Sequence, residues 1–339
     1  KLWHIAKEAA EDANDVEWRL VFDARELLDH LLGELCAAWF GVGLAKYFDR
    51  GGLDTAIGAG DKPRNPGNFA SPSRFFFQPH PSAEVASVGE AHGQALRRAM
   101  QALLDSEDPA NLKAMTAPLL RAVLDNPLCA TDPGYAARTV VGVAMGFVPT
   151  VDGTIRRALG EWLREGTFWR LRGQSLPLAG YGDAQKSVQA ELVRAIQLRA
   201  APELLWRTAR VDHVLGNGAH AVAVKEGDRV VAGLMSATQC HWQNGRDDYH
   251  EVFGGDRDQA GAPTHACPGT KAGFAVMLGF FAALLECPLP LRPGPVALSF
   301  EAVCTRERDK DSTTPFGGLA RQRGLAARRD FSRPVKLLA

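Results

Sequence analysis

Five stretches of the chain carry apolar residues every three or four positions, the spacing that lines one face of an α-helix. A sixth stretch, at the end of the set, is apolar almost throughout. Helices are therefore predicted at residues 23–42, 83–104, 117–124, 134–163, 184–198 and 270–286. Residues 219–224 and 229–234 are strand-like, and we predict that they pair as a β-hairpin. The pattern indicates a mainly α-helical fold with a small β-sheet.

The composition gives no support for nucleic-acid binding or for a membrane span, and it does not decide the function. The chain has 339 residues, 46% of them hydrophobic and 23% charged, which is enough to bury a sizeable core. Its net charge of zero gives no general attraction to nucleic acid. The longest strongly apolar run, residues 274–285, is too short to span a bilayer. The six cysteines follow no paired spacing, so we predict a reducing, cytoplasmic compartment.

The segment Pro-Thr-His-Ala-Cys-Pro-Gly at 263–269 directly precedes the predicted helix at 270–286. A cysteine just before a helix meets the positive end of the helix dipole and free backbone N–H groups. This environment favours the thiolate form of Cys267, which is the form that ligates iron. The alternative interpretation is a small buried apolar residue.

Zinc is a further interpretation of the same region. Cys240, His241, His250 and His265 lie near Cys267 in the sequence. Their spacing matches none of the paired patterns that are typical of zinc sites. The sequence therefore gives zinc little support.

A carboxylate and a guanidinium precede this segment on the predicted helix 184–198. Glu191 and Arg194 are three residues apart and can pair on one helix face. A Glu-x-x-Arg pair alone is common on protein surfaces. Here it is followed in order by Arg207, the predicted hairpin and the cysteine segment.

This succession, together with His-Ala-Cys-Pro-Gly, resembles the cytochrome P-450 superfamily. The resemblance implies a helical fold that holds haem, iron protoporphyrin IX, through the thiolate of Cys267. It also implies that His265 and Arg207 contact the haem propionates. Glu191 and Arg194 would form the buried ion pair of the family, completed by Arg246 or Arg257.

The resemblance covers roughly residues 1–300 and leaves the first helices of the family without a counterpart. We therefore predict a haem-thiolate catalytic domain at 1–305 that begins inside the family fold. Residues 306–339 are predicted to form a basic tail, because Arg and Lys outnumber acidic residues there.

The central helix, 134–163, carries the sequence evidence on the reaction. By resemblance, oxygen-activating members place an acid beside a threonine here, whereas this chain has Pro149 beside Thr150. A proline inside a helix costs about 3 kcal/mol, so it reflects either a specific role or a packing kink. Asp152 is two positions further on and points to another side of the helix.

The sequence Val148-Pro-Thr-Val resembles bacterial fatty-acid peroxygenases, which have Arg-Pro-Thr-Val at this place. In those enzymes the arginine holds the carboxylate of the fatty acid, so Val148 removes that docking group. What remains is an apolar wall formed by Phe147, Val148 and Pro149. Such a wall suits a substrate that brings its own O–O bond.

Three functions are compatible with these residues. The first is a haem-thiolate oxidoreductase that uses a peroxide, or rearranges a lipid hydroperoxide, and acts on a hydrophobic small molecule. The second is a dioxygen-dependent monooxygenase that receives electrons from a ferredoxin or a flavoprotein reductase. The third is a non-catalytic haem-binding module. Val148, Pro149 and Thr150 are the predicted catalytic positions in the first two.

Overall fold

The computed structural model describes residues 4–7, 15–40, 82–106, 117–173, 183–261, 264–287 and 290–307. The helices are α1 (Ala24–Phe40), α2 (Ala83–Ser106), α3 (Pro118–Leu124), α4 (Leu128–Thr131), α5 (Tyr135–Glu165), α6 (Thr167–Gly173), α7 (Asp183–Leu198), α8 (Leu234–Gln243) and α9 (Thr270–Leu285). The strands are β1 (His4–Lys7), β2 (Asp15–Asp23), β3 (Leu204–Thr208), β4 (His213–Leu215), β5 (Val222–Val224), β6 (Arg229–Gly233), β7 (Leu291–Pro293) and β8 (Ser299–Glu307). The six predicted helices are confirmed, with ends that differ by at most two residues.

Two compact units divide the chain, one formed by residues 1–24 with 287–339 and the other by 25–286. The first contains an antiparallel sheet in the order β1-β2-β8-β7. Phe22 and Phe300 stack in this sheet with ring centroids 5.4 Å apart, and both are buried. The tail predicted at 306–339 lies almost entirely outside the described residues.

Helix α5 is the centre of the second unit, and α2, α3, α6, α7 and α9 all pack against it. Its buried residues recur every three or four positions: Ala137, Val141, Ala144, Val148, Val151, Ile155, Ala158 and Trp162. The ring of Trp162 lies 4.2 Å from that of Phe281 on α9. The helix ends at Gly166, whose left-handed φ of 78° is readily available only to glycine.

The predicted hairpin between residues 219–224 and 229–234 is wrong in its pairing. Strand β5 pairs with β4, and β6 pairs with β3, both antiparallel. A turn at 225–228 leads the chain from one two-stranded sheet to the other, with the Gly227 N–H bonded to the Ala209 carbonyl at 2.9 Å. Strand-like sequence predicts extended backbone but not the partner strand, which explains the error.

Helix α9 is the most apolar of the described helices and has 16 residues. Across the described ranges, no helix combines the length and apolar character that crossing a bilayer requires.

Candidate functional site

Cys267 lies immediately before α9, where the backbone turns into the helix. Its Sγ accepts a hydrogen bond from the Gly269 N–H at 3.3 Å. Its carbonyl accepts another from the Thr270 hydroxyl at 3.0 Å. The residue is half-buried. A sulfur held by a backbone N–H at a helix start is well placed to carry negative charge.

The backbone of this cysteine loop is held by the segment that follows α8. The Cys267 N–H donates to the Phe253 carbonyl at 2.7 Å. The Arg257 guanidinium donates to the Ala266 carbonyl, also at 2.7 Å. Gly254 has a φ of 75°, and a Cβ there would lie 3.1 Å from the His265 carbonyl oxygen. The loop therefore rests on a close backbone contact that a side chain would obstruct.

A buried glutamine ties this segment to α7. The Gln197 side-chain amide donates to the carbonyls of Arg246 and Asp248, both at 2.7 Å. The backbone carbonyl of Gln197 in turn accepts a hydrogen bond from the hydroxyl of Thr238 on α8 at 2.9 Å. Gln197 and Thr238 are 2% and 0% exposed. The sequence gives no local signal for the roles of Phe253 and Gln197, and only the Gly-Gly after Phe253 indicates the sharp turn at Gly254.

Glu191 and Arg194 form the predicted ion pair. The further residues that contact the pair, and its exposure to solvent, differ from the prediction. Their closest atoms are 3.5 Å apart, and Arg194 also lies 3.2 Å from Glu165. The other Glu191 oxygen is bonded by Arg170, because α6 and α7 both pack on α5. Among the described residues, Arg170 is thus bonded to Glu191, where Arg246 or Arg257 had been predicted. The Arg194 side chain is 39% exposed, so the pair is not buried as predicted.

The central helix satisfies its own polar groups around Pro149. The Thr150 hydroxyl donates to the carbonyl of Gly146 at 2.6 Å and to that of Phe147 at 3.1 Å. Val148 is 7% exposed. Asp152 pairs with Arg156 at 2.6 Å. Burial raises the pKa of the Asp152 carboxyl, and the charge of Arg156 opposes that shift.

Helices α5 and α9 meet just beyond these residues. A Cβ on Gly273, six positions after Cys267, would lie 3.6 Å from Val151, which follows Thr150. The small residue lets the central helix approach the helix that begins at the cysteine loop. The structure therefore places the two predicted halves of the site on elements in direct contact.

Three solved structures are similar to this chain in overall fold. CalO2 aligns over 84% of this chain, which covers 66% of CalO2, at 16% sequence identity and a TM-score of 0.52. The cytochrome P-450 CYP102L1 aligns over 84% of this chain and 69% of its own length, at 16% sequence identity and a TM-score of 0.53. The myxobacterial cytochrome P-450 CYP267B1, solved with myristic acid, aligns over 84% of this chain and 66% of its own length, at 16% sequence identity and a TM-score of 0.55. The chain has the cytochrome P-450 fold.

The sequence matches no protein-family model and no curated protein, so these comparisons rest on the three-dimensional arrangement of the chain. The chain spans 66% to 69% of the length of these three structures. At 16% identity the likeness establishes the cytochrome P-450 fold, and the chemistry has to be argued from the residues themselves.

The cysteine loop fits the haem that a cytochrome P-450 fold implies. A thiolate ligand to haem iron needs a fixed sulfur, a nearby hydrogen-bond donor and partial exclusion of water. Cys267 meets these requirements through the Gly269 N–H, its half-buried position and the loop contacts described above. The residues present are therefore compatible with the group.

The two predicted propionate contacts are both exposed. Arg207 lies on β3, and its guanidinium donates to the Trp206 carbonyl at 2.7 Å. The Trp206 ring lies beneath Arg229, whose guanidinium carbon is 5.2 Å from the ring centroid. His265 is exposed in the cysteine loop. Their role toward haem stays a prediction.

Proposed function

We propose that this chain is a haem-thiolate oxidoreductase that acts on a hydrophobic small molecule. The observation that carries the proposal is the hydrogen-bonded sulfur of Cys267 at the start of α9 in a cytochrome P-450 fold. Cys267 would hold the iron, and Arg207 and His265 would contact the propionates. The function of the whole protein is part of this proposal, because the chain covers about two thirds of the structures that it resembles.

The residues of the chain supply position and environment. Gly269 and Phe253 hold the sulfur and the amide of Cys267 in fixed directions. Val148 is buried on the central helix, and the neighbouring Phe147 packs on Trp39 with ring centroids 5.1 Å apart, so this stretch of the helix is apolar. Apolar side chains exclude water and favour a hydrophobic substrate. When bound, thiolate-ligated haem supplies electron density that favours O–O cleavage.

We further propose that the oxidant is a peroxide or a lipid hydroperoxide. In the oxygen-activating enzymes that the sequence resembles, an acid next to a threonine of the central helix delivers protons to dioxygen. The Thr150 hydroxyl instead donates to two carbonyls of its own helix, and its neighbour Pro149 carries no acid. A peroxide already contains the reduced O–O bond, so it needs less proton delivery. This favours a substrate or co-substrate with its own O–O bond.

One observation favours the alternative, a dioxygen-dependent monooxygenase with a ferredoxin or flavoprotein reductase. Burial raises the pKa of Asp152, which lies two residues from Thr150. A carboxyl that keeps its proton to higher pH can act as a proton donor. To take the place of the missing acid, Asp152 would have to leave Arg156, 2.6 Å away, and also turn toward the side of the helix that carries Thr150.

Two measurements test the proposal in sequence. The first is the absorption spectrum of the purified protein, ferric and then reduced under carbon monoxide. The far red-shifted Soret band of a thiolate complex is expected, whereas the absence of haem or a histidine-type band would refute haem-thiolate ligation. The second compares turnover of a fatty acid with hydrogen peroxide, turnover of a lipid hydroperoxide, and turnover of the fatty acid with reductant and a redox partner.

The second measurement decides the reaction type. Turnover with peroxide or hydroperoxide alone supports the proposal. Turnover only with reductant and partner would establish the monooxygenase alternative. A thiolate-type spectrum without turnover or a substrate-induced spectral shift would favour the non-catalytic module.

A further inference from the structure

Three side chains that can bind a metal converge beside the segment that holds the cysteine loop. His241 lies in the last turn of α8, Asp248 lies in the following segment, and Glu251 lies in the 3-10 turn His250–Phe253. One ligand atom from each lies within 4.8 Å of the others. An imidazole and two carboxylates from separate elements therefore share one small volume, which we call the His-Asp-Glu cluster.

One carboxylate oxygen of Glu251 has no hydrogen-bond partner among the described residues of the chain. Its Oε1 lies 2.5 Å from the His241 Nε2. Its Oε2 is buried, and no hydrogen-bond donor among the described residues reaches it. A carboxylate oxygen removed from water without a partner is costly, so native structures pair such atoms. A bound cation would supply the missing partner.

We propose that the His-Asp-Glu cluster binds a divalent transition-metal ion of the zinc type. Zinc accepts imidazole nitrogen together with carboxylate oxygen, whereas magnesium and calcium prefer oxygen alone. Asp248 is exposed, which leaves room for water to complete the coordination. Three protein ligands and an open position are common in zinc sites.

Binding requires a small movement. Ligand bonds of about 2.1 Å in a tetrahedral site place neighbouring ligand atoms about 3.4 Å apart. His241 Nε2 and Glu251 Oε1 are 2.5 Å apart, so they must separate by a little under an ångström. The two side chains lie on different elements, and a rotamer adjustment of either one provides this movement.

The metal would strengthen a connection that matters for Cys267. The cluster joins α8 to the turn His250–Phe253, and the Phe253 carbonyl holds the Cys267 N–H at 2.7 Å. Occupation would therefore stabilise the support of the cysteine loop. The inference rests on the cluster itself and does not require haem to bind.

The cluster differs from the zinc set that the sequence suggested. Of Cys240, His241, His250, His265 and Cys267, only His241 belongs to the metal-compatible group found among the described residues. Cys240 is exposed and accepts a hydrogen bond from Asn244 at 3.5 Å. Two carboxylates replace the sulfur ligands.

The test is a titration of tag-free protein with Zn²⁺ in which calorimetry measures the binding. Elemental analysis of the dialysed sample then measures how much zinc stays bound. One equivalent of zinc and a rise in melting temperature are expected, because a ligand that binds the folded state stabilises it. The substitutions Glu251→Gln and Asp248→Asn should each weaken binding by about tenfold or more. Asp248 is exposed, so its variant should fold even if Glu251→Gln does not.

Two controls locate the site. Cys240→Ala tests the neighbouring thiol, and Asp256→Asn removes a carboxylate that lies 4.0 Å from His250 outside the cluster. Both should bind zinc as tightly as the original protein. Absence of saturable binding, equal affinity in Asp248→Asn and the original protein, or loss in Cys240→Ala would each overturn the proposal. Haem content, measured by its own spectrum, reports on the proposed function separately.

Discussion

The cysteine loop and the central part of α5 differ in where their hydrogen bonds lead. The Cys267 amide and the Ala266 carbonyl bond to Phe253 and Arg257, which belong to another segment. Within the described part of the chain, the Thr150 hydroxyl bonds only to carbonyls of the turn before it. The loop therefore depends on contacts with another segment for its shape, whereas the hydrogen bonds of the Thr150 side chain are local to its helix. Changes in the two regions should have separable consequences.

The largest effect is expected from removing the sulfur of Cys267. Cys267→Ser should abolish the thiolate-type spectrum of the carbon monoxide complex, because oxygen donates much less electron density to iron than sulfur does. Cys240→Ser, an exposed position, is the matched control and should leave the spectrum unchanged. Survival of the thiolate band in Cys267→Ser would show that the ligand is elsewhere.

Two substitutions that each remove a hydrogen-bonding side-chain group compare the cysteine loop directly with the central part of α5. Gln197→Met leaves two loop carbonyls without their donor, and a loss of about 2–4 kcal/mol in unfolding free energy is expected. Thr150→Val removes a hydroxyl bonded within its own helix, and a change within about 1 kcal/mol is expected. Urea unfolding measures both. Equal losses would mean that the loop does not depend on Gln197.

Gly254 tests the close contact beneath the loop. Gly254→Ala meets both a positive φ of 75° and the His265 carbonyl at 3.1 Å, whereas Gly261→Ala meets only a positive φ, of 74°. Both should lose about 1 kcal/mol from the backbone conformation, and Gly254→Ala about 1–2 kcal/mol more from crowding. Thermal unfolding gives the difference, and identical values would argue against the contact.

Pro149 tests the absence of a proton donor in the central helix. If the proposed function holds, Pro149→Asp should raise reductant-driven oxygenation by about tenfold or more, since a positioned general acid typically contributes at least that much. Turnover with a peroxide should change less. Pro149→Asn is the control, because asparagine has the shape of aspartate but no acidic group. A gain of equal size in Pro149→Asn would attribute the effect to loss of the proline ring.

The smallest effect concerns two carboxyls of α5 with opposite pH dependence. Hydrogen bonds from Arg164 and Arg199 hold the pKa of Glu161 below its ordinary value. Its stabilisation is therefore present above the ordinary pKa and is lost as the pH falls through the lowered one. Burial raises the pKa of Asp152, so its contribution has the reverse sign.

Urea unfolding in acid separates the two carboxyls. Glu161→Gln should flatten the loss of stability as the pH falls. Asp152→Asn should steepen it, because the group whose protonation favours the folded state is gone. The same slope in both variants would contradict the assigned signs.

Periodicity alone predicted the helices well, because long amphipathic segments bury the same face in any compact packing. The stripe from Ala137 to Trp162 is an example, and Pro149 did not interrupt it. Strand partners were predicted poorly, since extended sequence carries no information on register. Arg170 was missed as the partner of Glu191 because the two residues are 21 positions apart and meet only through α5.

By itself the sequence determined the helix boundaries, the cysteine before α9 and the unusual Val148-Pro-Thr of the central helix. These features depend on residues close in sequence and on local physical preferences. Only the tertiary structure decided that Gln197, Phe253 and Gly254 support the cysteine loop, and that His241, Asp248 and Glu251 converge. Those groups come from separate elements, and their meeting follows from helix packing that no local pattern encodes.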